Sequence, residues 1–141
     1  MNIVDAKGTL HDRRVLDLLS HSHYMPTEER LNSLADQYES DPNIYAFSCC
    51  VNGSVIGIIV IKHHAGTTFE IVSMAVNPAF RGQGIGSKLI SYAVNELKCG
   101  ELKAETDADA VGFYRSCGFD ILSLGEKYPG VIRYLCTRKS F

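Results

Sequence analysis

Asn77-Pro78-Ala79-Phe80-Arg81-Gly82-Gln83-Gly84-Ile85-Gly86-Ser87-Lys88-Leu89-Ile90 joins two runs of different periodicity. The run before it, Glu70 to Val76, is apolar and strand-like. After it, Ile85, Leu89, Ala93 and Leu97 recur every four residues with Ile90 and Val94 beside them, the spacing of a helix. Between the two, Gly82, Gly84 and Gly86 leave backbone N–H groups uncovered by side chains. A helix start presents unpaired N–H groups and a partial positive charge, so a strand, a glycine loop and a helix make a seat for an anion, most often a phosphate. Arg81 and Lys88 flank the loop and add cationic reach.

Upstream, Met1 to Val4 suits a short strand, and Leu10 to Ser20, with Val15, Leu16, Leu18 and Leu19, a short amphipathic helix. His21-Ser22-His23-Tyr24-Met25-Pro26 breaks it. Thr27 is placed to cap a second helix, Glu28 and Glu29 complement its dipole, and Leu31, Leu34, Ala35 and Tyr38 form its apolar stripe. Asp41-Pro42-Asn43 ends that helix. Ile44 to Val51, Ser54 to Lys62 and Thr67 to Val76 follow as strands, the first two joined by Asn52-Gly53, a strong hairpin signal. His63-His64-Ala65-Gly66 is the expected loop before the third strand, and the short connections imply an antiparallel meander.

Downstream, Gly100 is the expected C-cap of the helix that follows the loop. Glu101 to Thr106 is a strand, and Asp107 or Asp109 caps a helix carrying Ala110, Phe113, Tyr114 and Cys117 until Gly118 stops it. Phe119 to Leu124 and Val131 to Thr137 are two last strands around a Tyr128-Pro129-Gly130 turn. The order β-α-α-β-β-β-α-β-α-β-β gives an α/β fold. Residues 1–141 are expected to form a single domain with a central mixed, largely antiparallel twisted sheet and helices on both faces.

Composition narrows the function. A chain of 141 residues is the size of one domain, and its 45% hydrophobic and 21% charged fractions are those of a soluble globular protein. The 14 basic and 16 acidic residues are interspersed, for a net charge of −2, and no basic block suggests a nucleic-acid partner. Val55 to Ile61, the longest apolar run, is far short of a membrane span, and with Asp5, Lys7 and His11 near the start no apolar leader is expected. The expected location is cytoplasmic, with five cysteines present as reduced thiols and no C-x-x-C pair. His21-x-His23 and His63-His64 lack further ligands at metal spacing and read as surface or loop histidines, so no metal is expected.

Two familiar phosphate loops do not fit. A dinucleotide fingerprint needs a third glycine where Ser87 stands, and a nucleotide P-loop needs Gly-Lys followed by Ser or Thr, whereas Gly86 precedes Ser87 and Lys88 precedes Leu89. Arg81-Gly82-Gln83-Gly84-Ile85-Gly86 instead resembles the [RQ]-x-x-G-x-[GA] signature of GCN5-related N-acetyltransferases. Ala110-Val111-Gly112-Phe113-Tyr114-Arg115-Ser116-Cys117-Gly118-Phe119 resembles that superfamily's A-x-x-x-Y-x-x-x-G-F motif, and Ser73-Met74-Ala75-Val76-Asn77-Pro78 its strand into the loop. These motifs cover residues 70 to 119, and the element order agrees with the same fold.

The resemblance implies an enzyme that passes an acetyl group directly from acetyl-CoA to a primary amine and releases CoA. Its alternative within the same fold is an inactive acyl-CoA-binding sensor. Arg81, Gly82, Gln83, Gly84, Ile85 and Gly86, with Ser87 and Lys88 at the helix start, would hold the CoA pyrophosphate. Met74, Ala75 and Val76 would pair with pantetheine as an added strand does, and a backbone N–H there would polarise the thioester carbonyl. Tyr114 matches the acid that protonates the departing thiolate. The acceptor is an amine-bearing small molecule or peptide; His21 to Thr27 and Glu126 to Gly130, with Tyr24 and Tyr128, fall where the family walls its acceptor pocket. A homodimer through the C-terminal strands is the family-based expectation.

Two residues stay open at this level. Glu70 lies in a strand resembling that of histone-type members, where a glutamate takes the amine proton; equally, it reads as a solvent-facing glutamate, since a bulge would shift the alternation. Asp107 stands where the family often has Asn. It either contacts pantetheine as a hydrogen-bond acceptor only, or is simply a helix cap.

Overall fold

The computed structural model describes residues 1–22, 27–139 and 141. Along the chain come β1 (Asn2–Asp5), α1 (Arg13–Ser20), α2 (Glu28–Ser40), β2 (Ile44–Val51), β3 (Ser54–Ala65), β4 (Thr68–Val76), α3 (Ile85–Leu97), β5 (Glu101–Asp107), α4 (Val111–Ser116), β6 (Asp120–Tyr128) and β7 (Val131–Arg138). The strands form one sheet in the order β1-β2-β3-β4-β5-β7-β6. All neighbours are antiparallel except β4 and β5, which are parallel because α3 carries the chain back across the sheet between them.

Each face of the sheet has its own core. Val15, Leu16 and Leu19 of α1 and Leu31, Ala35 and Tyr38 of α2 bury against Ile58, Val60 and Ala75 on one face. Ile85, Leu89, Ile90 and Ala93 of α3 bury against Ile59, Ile61 and Ile71 on the other, where Tyr114 of α4 joins them. Leu89 is fully enclosed, so truncating it to alanine would cost about 2–5 kcal/mol.

Local chemistry moves several expected boundaries. Asp12 caps α1 by accepting from the Arg14 N–H, so the helix starts at Arg13, and Leu10 is buried ahead of it as an anchor. Thr27 caps α2 as expected, its hydroxyl accepting from the Arg30 N–H at 3.1 Å. β3 continues through His63 and His64 instead of ending at Lys62, because the His63 ring packs on Phe69 across the hairpin at 4.8 Å. α3 closes on Lys98 in the left-handed conformation, its N–H donating to Val94. Gly100 has a different duty: any side chain there would collide with Thr67.

Candidate active site

A gap in the sheet organises the site. β4 pairs with β5 only from Thr68 opposite Glu101 to Ile71 opposite Ala104, after which β5 is held by β7 alone. At that point the β3–β4 register slips, Val60 facing Ser73 and Ile61 facing Ile71, so Val72 bulges. Beyond the bulge, Asn77 N–H donates to Ile56 C=O at 2.7 Å. Hydrogen-bonded pairs alternate along an antiparallel ladder, so Ala75 and Ser73 also spend their backbone groups on β3. Met74 and Val76 therefore turn theirs toward the gap, and the Val76 carbonyl there accepts from Arg81 Nε at 3.3 Å. The expected trio of residues 74–76 thus divides: Met74 and Val76 offer backbone groups, while Ala75 offers its side chain to the core under α1.

The glycine loop ends at Gly84, whose φ of 77° places it in the left-handed region at the N-cap of α3. Among the described residues no side chain caps this helix; its first internal bond runs from Lys88 N–H to Gly84 C=O at 3.0 Å. The N–H groups of the first turn consequently face outward with the positive end of the dipole behind them. Gly86 needs its missing side chain for space: a Cβ would lie 2.8 Å from the Phe113 ring and 3.2 Å from Met74 Cε. Phe113 of α4 thereby closes over the start of α3.

Loop, gap and α4 meet around one cavity of about 800 Å³. Its wall includes residues 74–76, Arg81, Gly82, residues 84–87, Asp107 and Tyr114. Gln83 and Lys88 are not on this wall. Lys88 lines a second groove of about 620 Å³ with Ser91, Tyr92 and the start of β1, on the other side of α3. Tyr128 is exposed on the β6–β7 hairpin and is not on the wall either, and His23 and Tyr24 lie outside the described residues. Among the described residues no group of three or more His, Cys, Asp or Glu could hold a metal, and no helix is long and apolar enough to cross a membrane.

Tyr114 is 7% exposed, with its ring edge-on to Phe113 and Phe119 at 5.2 and 5.4 Å. Burial pushes its phenol well above the ordinary range, and the neighbouring Cys136 and Cys117 add to the effect. The group therefore keeps its proton and faces the cavity as a neutral donor. Asp107 Oδ1 accepts from the N–H groups of Asp109 and Ala110, both at 3.0 Å, so it closes the turn that leads into α4 while lining the cavity.

Glu70 is absent from the cavity wall. Phe69 and Ile71 point to the α3 face, Val72 packs on the α1–α2 face, and the charge of Glu70 is felt by Tyr38 of α2. Glu70 thus lies on the α1–α2 face at the closed end of the gap, its Oε1 2.7 Å from His64 Nε2. Glu70 is thus half-exposed, in keeping with the solvent-facing reading, and His64 engages its carboxylate away from the cavity wall. His21 opens the segment expected to wall the acceptor pocket, although by spacing it reads as a surface or loop histidine; it closes the C-terminal end of α1 and lines the cavity.

Residues 13–119 match the model of the Acetyltransferase (GNAT) family. The chain is 38% identical over 63 residues to the aminoalkylphosphonate N-acetyltransferase of Salmonella typhimurium, covering 41% of each protein. It is 32% identical over 97 residues to N-alpha-acetyltransferase RimI of Mycobacterium tuberculosis, covering 62% of this chain and 61% of that one. The chain spans between 25% and 61% of the length of these and one further curated relative. In fold it superposes on the ribosomal-protein-S18-alanine N-acetyltransferase of Escherichia coli with a TM-score of 0.79 at 18% identity, covering 99% of this chain and 94% of that one.

Proposed function

Since the chain belongs to the acetyltransferase (GNAT) family, we propose that it transfers an acetyl group from acetyl-CoA to a primary amine at the cavity between β4, α3 and α4. One observation carries this reading: the start of α3, the backbone of Met74 and Val76 turned away from β3 and the neutral phenol of Tyr114 belong to a single cavity. Acetyl-CoA needs all three, an anion seat for its pyrophosphate, backbone partners for its amide arm and a proton donor for its leaving sulfur.

Arg81, Gly82 and the first turn of α3 bind the pyrophosphate. Gln83 follows the loop backbone, and Lys88 adds charge from the far side of α3 without touching it. The backbone of Met74 and Val76 orients the pantetheine arm, and an N–H among them stabilises the carbonyl oxygen as charge develops on it. Asp107 accepts from an amide of the same arm. Tyr114 protonates the sulfur. Glu70 has a part only through a bridging water, because its carboxylate is off the wall and held by His64.

The two relatives named above act, by their names, on an aminoalkylphosphonate and on an α-amine. What these acceptors share is a primary amine, and that is the class proposed. The expected compartment is the cytoplasm, where the five free cysteines stay as thiols. The test is CoA-thiol release from acetyl-CoA with and without a panel of primary amines. Amine-dependent release, with the acetylated amine detected by mass, is the expected result; tight acetyl-CoA binding with no release from any amine would assign a sensor instead.

A further inference from the structure

We propose that His21 is the base that takes the proton from the acceptor's ammonium group, an assignment that rests on the acetyl-transfer reading above. Four of the histidines are described. His11 pairs with Asp36 at 2.9 Å, His63 bonds the Gly66 carbonyl at 2.8 Å and His64 bonds Glu70 at 2.7 Å. Among the described residues His21 alone has an imidazole with no hydrogen-bond or ion-pair partner, and it alone of the four lines the cavity. A base must have a free lone pair and must reach the substrate, and His21 meets both conditions.

The other titratable groups on the wall are poorer candidates. Arg81 has no lone pair to offer. Tyr114 holds its own proton, and Cys117 is a thiol that must lose a proton before it can accept one. Asp107 already accepts two backbone N–H bonds. Asp109 remains, but a carboxylate is in general a weaker base than an imidazole, whose ordinary range spans neutrality.

The backbone under His21 is fixed. Its N–H donates to Leu18 C=O at 3.0 Å, and the buried Val15, Leu16, Leu18 and Leu19 anchor α1 to the sheet. Ser22 Oγ adds a bond to Leu19 C=O at 2.9 Å. His21 therefore approaches from the α1 side of the sheet, while the anion loop and α4 belong to the α3 side. An acceptor entering from the α1 side meets the base on its way to the gap.

The proton count closes. The ammonium gives one proton to a ring nitrogen of His21, which frees the amine lone pair. The amine nitrogen bonds to the acetyl carbon as the carbon–sulfur bond breaks, and the sulfur leaves with the electron pair. Tyr114 gives the sulfur its proton and recovers one from the nitrogen of the new amide. The imidazolium then releases its proton to solvent. Acetyl-CoA and an ammonium become an acetamide, CoA thiol and one free proton.

The experiment measures CoA-thiol release by wild type, His21→Gln and His21→Ala between pH 6 and 10, with spermidine, glucosamine, 2-aminoethylphosphonate and an unblocked tetrapeptide as probes. For any probe that wild type acetylates, His21→Gln is expected to lose about 10²-fold in kcat/KM at pH 7. The loss should shrink toward pH 10, where the free amine supplies its own lone pair, and added imidazole should restore His21→Ala. Acetyl-CoA affinity of both variants, measured by calorimetry, should match wild type, which excludes a folding defect. A wild-type rate for His21→Gln at pH 7, or an equal loss at every pH that imidazole does not restore, overturns the assignment alone. No thiol release by wild type with any probe overturns the acetyl-transfer reading, and this assignment with it.

Discussion

Gly86 in the first turn of α3 and Phe113 of α4 approach so closely that a Cβ on Gly86 would sit 2.8 Å from the aromatic ring. This contact fixes α4, and with it Tyr114, against the start of the helix that forms the anion seat. Gly86→Ala gains at most about 1 kcal/mol of helix propensity but overpacks the contact, which costs about 1–3 kcal/mol. We expect a lower Tm and a raised KM for acetyl-CoA. Adding Phe113→Leu should recover part of both, and a double variant no better than the sum of the singles would show that the contact is not the cause.

Tyr114→Phe removes the phenol oxygen from a ring enclosed by Phe113 and Phe119. Packing survives, so acetyl-CoA affinity should hold while kcat falls by about 10²-fold. Because burial pushes the phenol up, it stays protonated through the working pH range, and wild-type activity should show no alkaline loss from this group below about pH 10. Equal turnover of variant and wild type would remove Tyr114 from the mechanism.

How much of this was legible in the sequence follows from the range of each interaction. The loop, α3 and the Asn52-Gly53 hairpin are encoded by neighbours in the chain, through turn chemistry and apolar spacing, and they read correctly. The face taken by Glu70 depends on a bulge at Val72, which arises from pairing with β3 and leaves no local mark. The division of labour between Met74, Val76 and Ala75 follows from the same register. Lys88 reads as part of the seat because it follows Ser87, yet a helix turns successive residues about 100° apart, and it lines the other groove. His21 falls in a segment that the resemblance sets at the acceptor pocket, but its own part there is not legible, because the cavity it lines is assembled from residues 53 and more positions away.

Alkaline stability tests the buried acids. Burial raises the Cys99 thiol from 9.0 to about 11, and it also raises Cys49, Cys136, Tyr38 and Tyr114. Between the unfolded and folded values, the unfolded chain has released a proton that the folded one keeps, so stability falls as pH rises. For Cys99 the stability is fully present below about pH 9 and is lost progressively toward its folded value. Each such group steepens the fall by at most about 1.4 kcal/mol per pH unit. Urea unfolding at pH 7.5, 9, 10 and 11 should show this decline, with a shallower slope for Cys99→Ala; identical slopes would mean that Cys99 titrates alike in both states.

Glu70→Gln keeps the shape of the residue and an acceptor oxygen toward His64, while removing the charge. The pair is only about a third exposed on each side and worth at most about 1 kcal/mol, so stability should change little. With His21 as the primary proton acceptor, kcat/KM at pH 7 should fall by less than about tenfold. A loss of about 10²-fold or more would move the base to Glu70.

Asp107 combines two duties that one substitution can separate. Its Oδ1 satisfies the N–H groups of Asp109 and Ala110 in the turn before α4, and Asn offers the same oxygen in the same place. Asp107→Asn should therefore leave the Tm close to wild type, whereas Asp107→Ala strands both donors and should cost about 1 kcal/mol, roughly 4 °C for a chain of this size. On the cavity side Asn adds an N–H₂ donor where the carboxylate can only accept, and it removes a negative charge from the wall of a site proposed to hold a polyanion. Acetyl-CoA should bind Asp107→Asn at least as tightly as wild type by calorimetry. Weaker binding by that variant at unchanged Tm would show that the carboxylate itself contacts the donor as an acceptor, with its charge an asset.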